Sequence, residues 1–413
     1  MISQKDILLK LEILLIAVFI MFWYTFYNPI VIIIGLFINS FILIIFSNKI
    51  RIRINYSDIL WILLISIMMF SLIYTDNFRD GIIYLSVLTM LIIIKLITCN
   101  IGEWKKYFVK LVHAFSLIHV ACTLLILIVP DIVNFIRKII LSEYEFRTTT
   151  YLISNGGNTG IANQTGTNSV YITVYLAIII SKILMRRKNE NRKYSVLLVI
   201  GFIALLLTSK RAVLLINILV LVMICVIIMV RKKKYELPLK MLIGGVTTIP
   251  FAFILIPTTR DIIQKFYLLI EQGDISNGRF HMYEVVMESF MDKPLLGHGL
   301  GASWSLFSTG VHNIYIQLLN DIGIIGLMIF LTILILNIIN TIKKLSHKIP
   351  LNEEELIYEE YLIQSLYIQI FFIGYGFSGN PLFDYFIILL YLIYSNTDYR
   401  SKIIYTNRGE VYE

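Results

Sequence analysis

The sequence predicts an all-α polytopic membrane protein with about 12 transmembrane helices and two long, partly helical outer loops. Of its 413 residues, 58% are hydrophobic and 15% are charged, whereas a soluble domain carries roughly a quarter charged residues. The charges are clustered, which leaves many apolar runs of roughly 17–25 residues, the length of a membrane-crossing helix. These runs are continuously apolar and do not alternate as the strands of a membrane barrel do. A soluble globular protein is therefore excluded.

Charged residues and turn residues bound the apolar runs and so define the predicted spans. These spans cover residues 11–27, 30–46, 59–75, 81–98, 109–129, 169–185, 195–208, 212–230, 241–257, 314–339, 360–377 and 383–396. The predicted regions are five N-terminal membrane helices (1–129), a first outer loop (130–168), central spans (169–257), a second outer loop (258–313), C-terminal spans (314–396) and a cytoplasmic tail (397–413). The run at 11–27 lacks a small-residue cleavage site, so we expect a retained helix and not a cleaved signal peptide.

Lysine and arginine residues indicate the orientation of the chain. With the N-terminus inside, every predicted inner loop is basic, and most of the 36 lysines and arginines lie on the inner side. Both termini are therefore expected in the cytoplasm. The net charge of +9 is explained as loop charge that sets this orientation, and it does not indicate a nucleic-acid partner.

Both long outer loops show helical patterning, which favours function over disorder. In the first loop the apolar spacing predicts a helix at the membrane interface. Its apolar residues are Ile132, Val133, Phe135, Ile136, Ile139 and Ile140. In the second loop one apolar face is formed by Ile262, Ile263, Phe266, Leu269 and Ile270, and another by Phe280, Tyr283, Met287 and Phe290.

Basic residues on the outer side are exceptions to the orientation rule and are candidates for function. Lys210 and Arg211 lie in a short connection between two spans, where cations beside hydrocarbon are costly unless they have a partner. The alternative is that they are anchors that extend to the headgroup level. Arg279 follows Ser276-Asn277-Gly278, which predicts a turn and a helix start. The alternative interpretation is that Arg279 is an ordinary solvated loop arginine.

His312 and Asn313 come directly before the span that begins at Ile314. The positive end of a helix dipole favours neutral imidazole, which is the form that accepts a proton. The alternative is a histidine that caps the helix or lies at the membrane interface. Metal binding by His281, His298 and His312 is not expected, because no carboxylate or cysteine lies at ligand spacing.

Alternating glycines mark the segment Pro294–Gly301 between these candidates. Glycines allow a tight backbone path and the close approach of a ligand. The segment follows no predicted strand and lacks Gly-Lys-Ser/Thr, so it is not a nucleotide-binding loop.

In chain order, five motifs resemble those of the bacterial O-antigen polymerase and ligase family. They are Ser209-Lys210-Arg211, Asn277-Gly278-Arg279 with Tyr283, Pro294-Leu295 with Gly297 and Gly299, His312-Asn313 with Tyr315, and Asp321 with Gly323 and Gly326. The resemblance implies a fold like that of integral-membrane GT-C-type glycosyltransferases. It also implies transfer of glycans from an undecaprenyl-diphosphate carrier on the outer (periplasmic or extracellular) face of the bacterial inner membrane.

The resemblance assigns roles by position. Arg211 and Arg279 match arginines that hold the donor diphosphate, and His312 matches a histidine that activates the acceptor. These three are the expected catalytic residues. The expected substrate-binding residues are Lys210, Arg147, Tyr283 and Asn313.

Two features of the match are specific to this sequence. Arg147, with the downstream Gly160 and Asn163, loosely matches an arginine of the family's earlier outer loop. Family members often read Ser-Arg-Gly, whereas here Lys210 intervenes and Ala212 replaces the glycine. Whether Lys210 or Arg211 makes the main phosphate contact therefore stays open.

Three functions are compatible with these sequence features. We expect a polymerase of carrier-linked repeat units for O-antigen or capsular polysaccharide, with a ligase that passes finished glycan to lipid A core or another acceptor as the alternative. A flippase is less favoured, because the spans hold few acids and Asp321, with Asn320, Gly323 and Gly326, is expected to shape or kink its span. No Asp-x-Asp pair is present, so arginines are expected in place of a metal and no cofactor is expected. The expected partners are carrier-linked glycans, the lipid bilayer, and a chain-length regulator and flippase of the same pathway.

Overall fold

The computed structural model describes residues 4–21, 29–46, 54–98, 102–185, 191–233, 235–243, 278–307, 310–345 and 353–397, with a few positions between 267 and 276. Regular secondary structure in these residues is helical throughout. The first ten helices are α1 (Gln4–Met21), α2 (Pro29–Phe46), α3 (Tyr56–Ser71), α4 (Phe78–Thr98), α5 (Gly102–Leu125), α6 (Pro130–Ile140), α7 (Glu143–Ser154), α8 (Thr165–Met185), α9 (Asn191–Leu207) and α10 (Arg211–Lys232). They are followed by α11 (Arg279–Asp292), α12 (Ala302–Leu306), α13 (Ile314–Lys344), α14 (Glu353–Gly376) and α15 (Tyr385–Ser395).

Five described helices are long and apolar enough to cross a membrane, namely α4, most of α5, α8, α10 and α13. Shorter apolar helices lie at Ile30–Ile45, Tyr56–Ser71 and Tyr385–Ser395. The fold is thus that of an all-α, polytopic membrane protein. The predicted span at 241–257 lies almost wholly outside the described residues, and the number twelve stays a prediction.

The chain forms two compact units, each assembled from separate stretches of sequence. Unit 1 comprises Met1–Val109, Ser276–Asn340 and Phe372–Glu413, and unit 2 comprises Lys110–Ile275 and Thr341–Phe371.

In unit 1, α4 packs against α2, α3 and α15. Trp61 of α3 is fully buried, and its ring meets Phe330 and Tyr391 edge-on with centroids 6.4 Å away in each case. Lys95 of α4 forms a buried ion pair with Asp58. Asp58 is also the third residue of α3, where it forms a capping box with Asn55. The charges of Lys95 and Asp58 thus compensate each other, which lowers the cost of burying them.

In unit 2, α8 is buried along almost its whole length and packs against α9 and α10. Buried polar groups connect it to its neighbours: Asn217 Nδ2 of α10 donates to Thr173 Oγ1 of α8 (2.9 Å), and Tyr367 Oη of α14 donates to Asn217 Oδ1 (2.8 Å). Lys232 at the end of α10 pairs with Glu359 at 3.0 Å. Such pairing is required where no water can satisfy a polar group.

The helix predicted in the first outer loop is confirmed as α6. One side of it, formed by Val133, Ile136 and Ile140, packs on a small core with Cys122, Ile126 and Ile161. The other side leaves Ile132, Phe135 and Ile139 exposed. This exposed apolar side is the one that we expect to contact the membrane surface.

The predicted kink in α13 is also confirmed, at Gly323 (φ 67°, ψ −175°). The segment Pro294–Gly301 fills the break and replaces the interrupted helical hydrogen bonds. The bonds are His298 N to Asn320 O (2.7 Å), Gly299 N to Asp321 O (2.8 Å) and Ile324 N to Pro294 O (2.9 Å). Irregular backbone within a membrane protein is tolerated where protein groups satisfy it in this way.

Replacement of Gly323 by alanine is expected to destabilise the protein by about 3–5 kcal/mol, because only glycine readily adopts this backbone conformation and a Cβ would overlap the Leu295 carbonyl. The melting temperature of the detergent-purified protein measures the effect. Gly156→Ala is the matched control, because Gly156 also has a positive φ (82°) but no atom lies within 4 Å of its Cβ position. The Gly156→Ala substitution should lower the stability of the protein by about 1 kcal/mol. Equal losses of stability in the two variants would contradict this account of the kink.

Candidate functional site

Arg279 is the first residue of α11. Gly278 precedes it in the left-handed conformation (φ 82°) and turns the chain into the helix. The Arg279 side chain is half-buried, and its guanidinium forms no hydrogen bond or ion pair with the described residues. It lies within electrostatic range of the Tyr375 phenol. Tyr283 follows one turn later on α11, half-buried and with its ring 6.3 Å from that of Phe280.

His312 is exposed and has a positive φ of 56°, an uncommon conformation for a residue with a side chain. The next residue, Asn313, is buried and caps α13, since its Oδ1 accepts from Tyr315 N (3.1 Å) and Ile316 N (3.2 Å). Backbone strain of this kind is often found at functional sites, where the surrounding structure enforces it. The cap on one side of His312 supplies part of that enforcement.

The glycine-rich segment between Arg279 and His312 takes the tight path expected from its sequence. The space beside its glycines, however, is filled by protein. A Cβ on Gly297 would lie 2.6 Å from Asn320 O, and one on Gly299 would lie 2.5 Å from Thr75. The expected close approach is thus made by the chain itself, and these glycines are required for packing.

Asp321 fixes the end of this segment, a role that the sequence did not reveal. Its buried carboxylate accepts from Gly301 N (3.2 Å), Ser303 N (2.8 Å) and Ser303 Oγ (2.6 Å). These bonds hold the short helix α12 against α13. Asp321 therefore does shape its span, as predicted, and also orders the loop that precedes His312.

In unit 2, the connection between α9 and α10 carries Lys210 and Arg211. Ser209 has a positive φ of 57°, and its Oγ donates to Gly156 O at 2.6 Å. Lys210 is exposed and stands at the cap position, with its N–H directed to Thr208 Oγ1 at 3.3 Å. Arg211 is the first residue of α10 and is half-buried, and within the described part of the chain its guanidinium has no hydrogen bond or ion pair.

The first outer loop contains two arginines in different surroundings. Arg147 has a side chain that is 77% exposed and pairs with Glu143 on the surface of α7. Arg137 is buried in unit 2 and donates to Asn134 Oδ1 (2.6 Å) and to Thr149 Oγ1. Burial lowers the pKa of Arg137 to about 10, so the group stays protonated near neutral pH. Arg137 connects α6 to α7. The one indication of its burial in the sequence is that it shares a helix face with Val133 and Ile140.

Glu145 and Asn163 lie near each other in the same loop. Asn163 Nδ2 donates to Glu145 Oε1 at 3.2 Å. Burial raises the pKa of the Glu145 carboxyl, and this hydrogen bond partly opposes the rise. Through this bond Asn163 contacts α7, the helix that also carries Arg147.

Arg211 and Arg279 share an unfavourable electrostatic position. The N-terminus of a helix carries a partial positive charge, so a cation there is destabilising unless an anion is close. Exposed cations tolerate this position because water screens them; Arg79 near the start of α4 is such a case, next to Asp80. Arg211 and Arg279 are half-buried and have no carboxylate partner in the described structure. Helix N-termini bind phosphate groups through free N–H groups, and a guanidinium adds bidentate donors.

The structure places the seven predicted site residues in both units. Unit 1 holds Arg279, Tyr283, His312 and Asn313, and unit 2 holds Arg147, Lys210 and Arg211. Among the described residues, no group of three histidine, cysteine, aspartate or glutamate side chains is arranged to hold a metal ion.

The fold defines a multi-pass helical membrane protein, and two of its helices begin at half-buried arginines. Residues 196–331 match the family model described as O-antigen ligase, so this part of the chain resembles that family. Six of the seven predicted site residues lie within the matched range, and Arg147 lies outside it. No curated protein matches the chain.

Proposed function

We propose that the protein polymerises oligosaccharide repeat units for O-antigen or capsular polysaccharide, using a glycan on undecaprenyl diphosphate as its donor. The observation that carries the proposal is the position of Arg211 and Arg279, each at a helix start and without a carboxylate partner in the described residues. A donor outside the cytoplasm cannot be a nucleotide sugar, and a lipid diphosphate supplies the anion that these helix starts lack. The family match supports a transferase over a flippase.

In the proposed reaction, a hydroxyl oxygen of the acceptor sugar bonds to the anomeric carbon of the donor. The bond from that carbon to the diphosphate oxygen breaks at the same time, and the diphosphate leaves on its lipid with the electron pair. Arg279 stabilises the charge that develops on the leaving group. Arg211, in unit 2, is expected to bind diphosphate through the same chemistry. The proton of the acceptor hydroxyl passes to His312. The configuration at the anomeric carbon is inverted, because attack and departure occur on opposite faces.

The other predicted residues take supporting roles in this proposal. Asn313 positions His312 through the cap that it forms on α13. Tyr283 lies one turn from Arg279 and supplies a hydroxyl to the same substrate group. Lys210 adds an exposed positive charge beside Arg211, and Arg147, which is paired with Glu143 at the surface, contributes at most to long-range attraction of the anionic carrier.

The orientation of basic loops supports the proposed location of the reaction. Both termini lie in the cytoplasm of a bacterial cell, and Arg279 and His312 lie on the outer face of its inner membrane. A flippase would deliver the substrate to this face, and a chain-length regulator would act on the growing product.

A ligase is the second candidate, because the matched family model is described as O-antigen ligase. The test uses the purified protein in lipid nanodiscs with carrier-linked repeat units as the sole substrate. A polymerase converts them into a ladder of longer glycans. A ligase leaves them unchanged until lipid A core or another distinct acceptor is added. Absence of any product under both conditions would contradict a transferase.

A further inference from the structure

Three aromatic side chains from distant parts of the sequence meet in unit 1. Tyr84 of α4 packs on Trp304 of α12, with ring centroids 5.5 Å apart and planes inclined by 30°. Phe383, just before α15, lies against the same Tyr84 ring at 4.9 Å. All three rings are partly exposed. We call Tyr84, Trp304 and Phe383 the aromatic platform.

Two polar atoms beside the aromatic platform are shielded from water and have no hydrogen-bond partner among the described residues. They are Nε1 of Trp304 and Oδ1 of Asn380. Both side chains adjoin the backbone of Gly310, where a Cβ would lie 2.8 Å from Asn380 Nδ2 and 3.1 Å from the Trp304 ring. A shielded donor or acceptor without a partner is costly, and a ligand hydroxyl that the side chain turns to meet removes the cost.

The aromatic platform is held on a fixed support. Trp304 follows Ser303 in α12, and Ser303 is bound to the buried Asp321 carboxylate through both its N–H and its Oγ. The kinked helix α13 thereby sets the position of the indole. A binding surface that is ordered in advance loses little conformational entropy when a ligand arrives.

The aromatic platform lies in the same region of unit 1 as the proposed reactive residues. Gly310, which touches Trp304, is two residues before His312. Gly379 directly precedes Asn380 in the sequence, and its Cβ position lies 2.8 Å from the Tyr375 ring, on which Arg279 acts electrostatically. A ligand on the platform would therefore extend toward His312 or Arg279.

We infer that the aromatic platform binds a sugar ring of the acceptor oligosaccharide, an inference that rests on the proposed function. A sugar ring has an apolar face of C–H groups and a rim of hydroxyls. Aromatic faces with a few convergent polar groups match that combination. A lipid tail has no hydroxyls for Trp304 Nε1 and Asn380 Oδ1, and neither atom supplies the cation that a phosphate needs. The alternative is that these rings belong to an aromatic belt at the membrane interface. The polar atoms of such a belt face water, whereas Nε1 of Trp304 is shielded from water.

The test measures binding of the carrier-free repeat unit, released from the host's own lipid-linked intermediate by mild acid, to the protein in nanodiscs by saturation-transfer NMR. Trp304→Ala is expected to weaken binding about tenfold or more. Trp304→Phe, which keeps a ring but not Nε1, should lose less, and Asn380→Ala should lose roughly fivefold. Tyr56→Ala is the matched control, because Tyr56 is an exposed aromatic residue at the start of α3, outside the platform.

The outcomes separate this inference from the proposed function. Loss of oligosaccharide binding in Trp304→Ala, with wild-type melting temperature and Tyr56→Ala unchanged, supports the aromatic platform even if no transfer is detected. Unchanged binding in Trp304→Ala and Asn380→Ala overturns it, even if the wild-type protein lengthens carrier-linked glycans. If Trp304→Ala does not fold, Trp304→Phe and Asn380→Ala decide by the same criterion.

Discussion

Replacement of Arg279 by alanine is expected to lower the rate of glycan transfer about 10²–10³-fold, because the leaving diphosphate loses the guanidinium that stabilises its charge. Arg279→Lys should recover part of the rate, since an ammonium keeps the charge but not the bidentate geometry. The measurement is elongation of carrier-linked repeat units by purified protein in nanodiscs, under single-turnover conditions.

Arg79→Ala is the matched control for Arg279. Arg79 also lies in the first turn of a helix in unit 1, but it is exposed and stands beside Asp80. Its removal should leave the rate unchanged. Elongation at the wild-type rate by Arg279→Ala would exclude this residue from the site, whatever the behaviour of the control.

Replacement of His312 by asparagine is expected to lower the transfer rate about 10²–10⁴-fold, the usual contribution of a general base. Asparagine is chosen because it cannot accept the proton and yet tolerates the positive φ of position 312 better than most other side chains. The variant thus removes the proton acceptor and keeps the backbone conformation. Rates across a pH series, measured in the same elongation reaction, provide the readout.

His312→Ala separates chemistry from backbone strain. It should lose the same amount of activity as His312→Asn but also about 1 kcal/mol of stability, because alanine is less tolerant of the left-handed region. If His312→Asn transfers glycan normally while His312→Ala is impaired, the residue is structural and the proposed base lies elsewhere.

Local patterns predicted much of the fold correctly. The apolar spacing from Ile132 to Ile140 marks α6, and Gly278 before Arg279 marks the start of α11. Gly323, two residues after Asp321, marks the kink in α13. In each case the information lies within a few residues, because helix periodicity, capping and glycine conformation are local properties.

Contacts between distant segments could not be predicted in this way. Tyr74 Oη donates to Leu296 O across 222 residues of sequence, and no local pattern marks either residue. The same limit applies to the burial of Arg137 and the exposure of Arg147. Both arginines lie in the first outer loop, and packing of α6 on its small core decides which of them is buried.

The role of Asn313 shows a further limit of motif reasoning. The motif that contains His312 predicts that both residues contact substrate, and the structure shows in addition that Asn313 Oδ1 caps α13. A cap uses only the amide oxygen, so it does not exclude a ligand contact through the amide nitrogen, and a sequence of two residues does not reveal the cap.

Binding of sugar-free undecaprenyl diphosphate to the protein in nanodiscs tests most directly whether helix-start arginines hold the carrier. We expect the wild-type protein and Arg79→Ala to bind it equally, and Arg279→Ala and Arg211→Ala each to bind it about tenfold or more weakly. Equal affinity of all four proteins for this lipid would exclude both arginines from carrier binding.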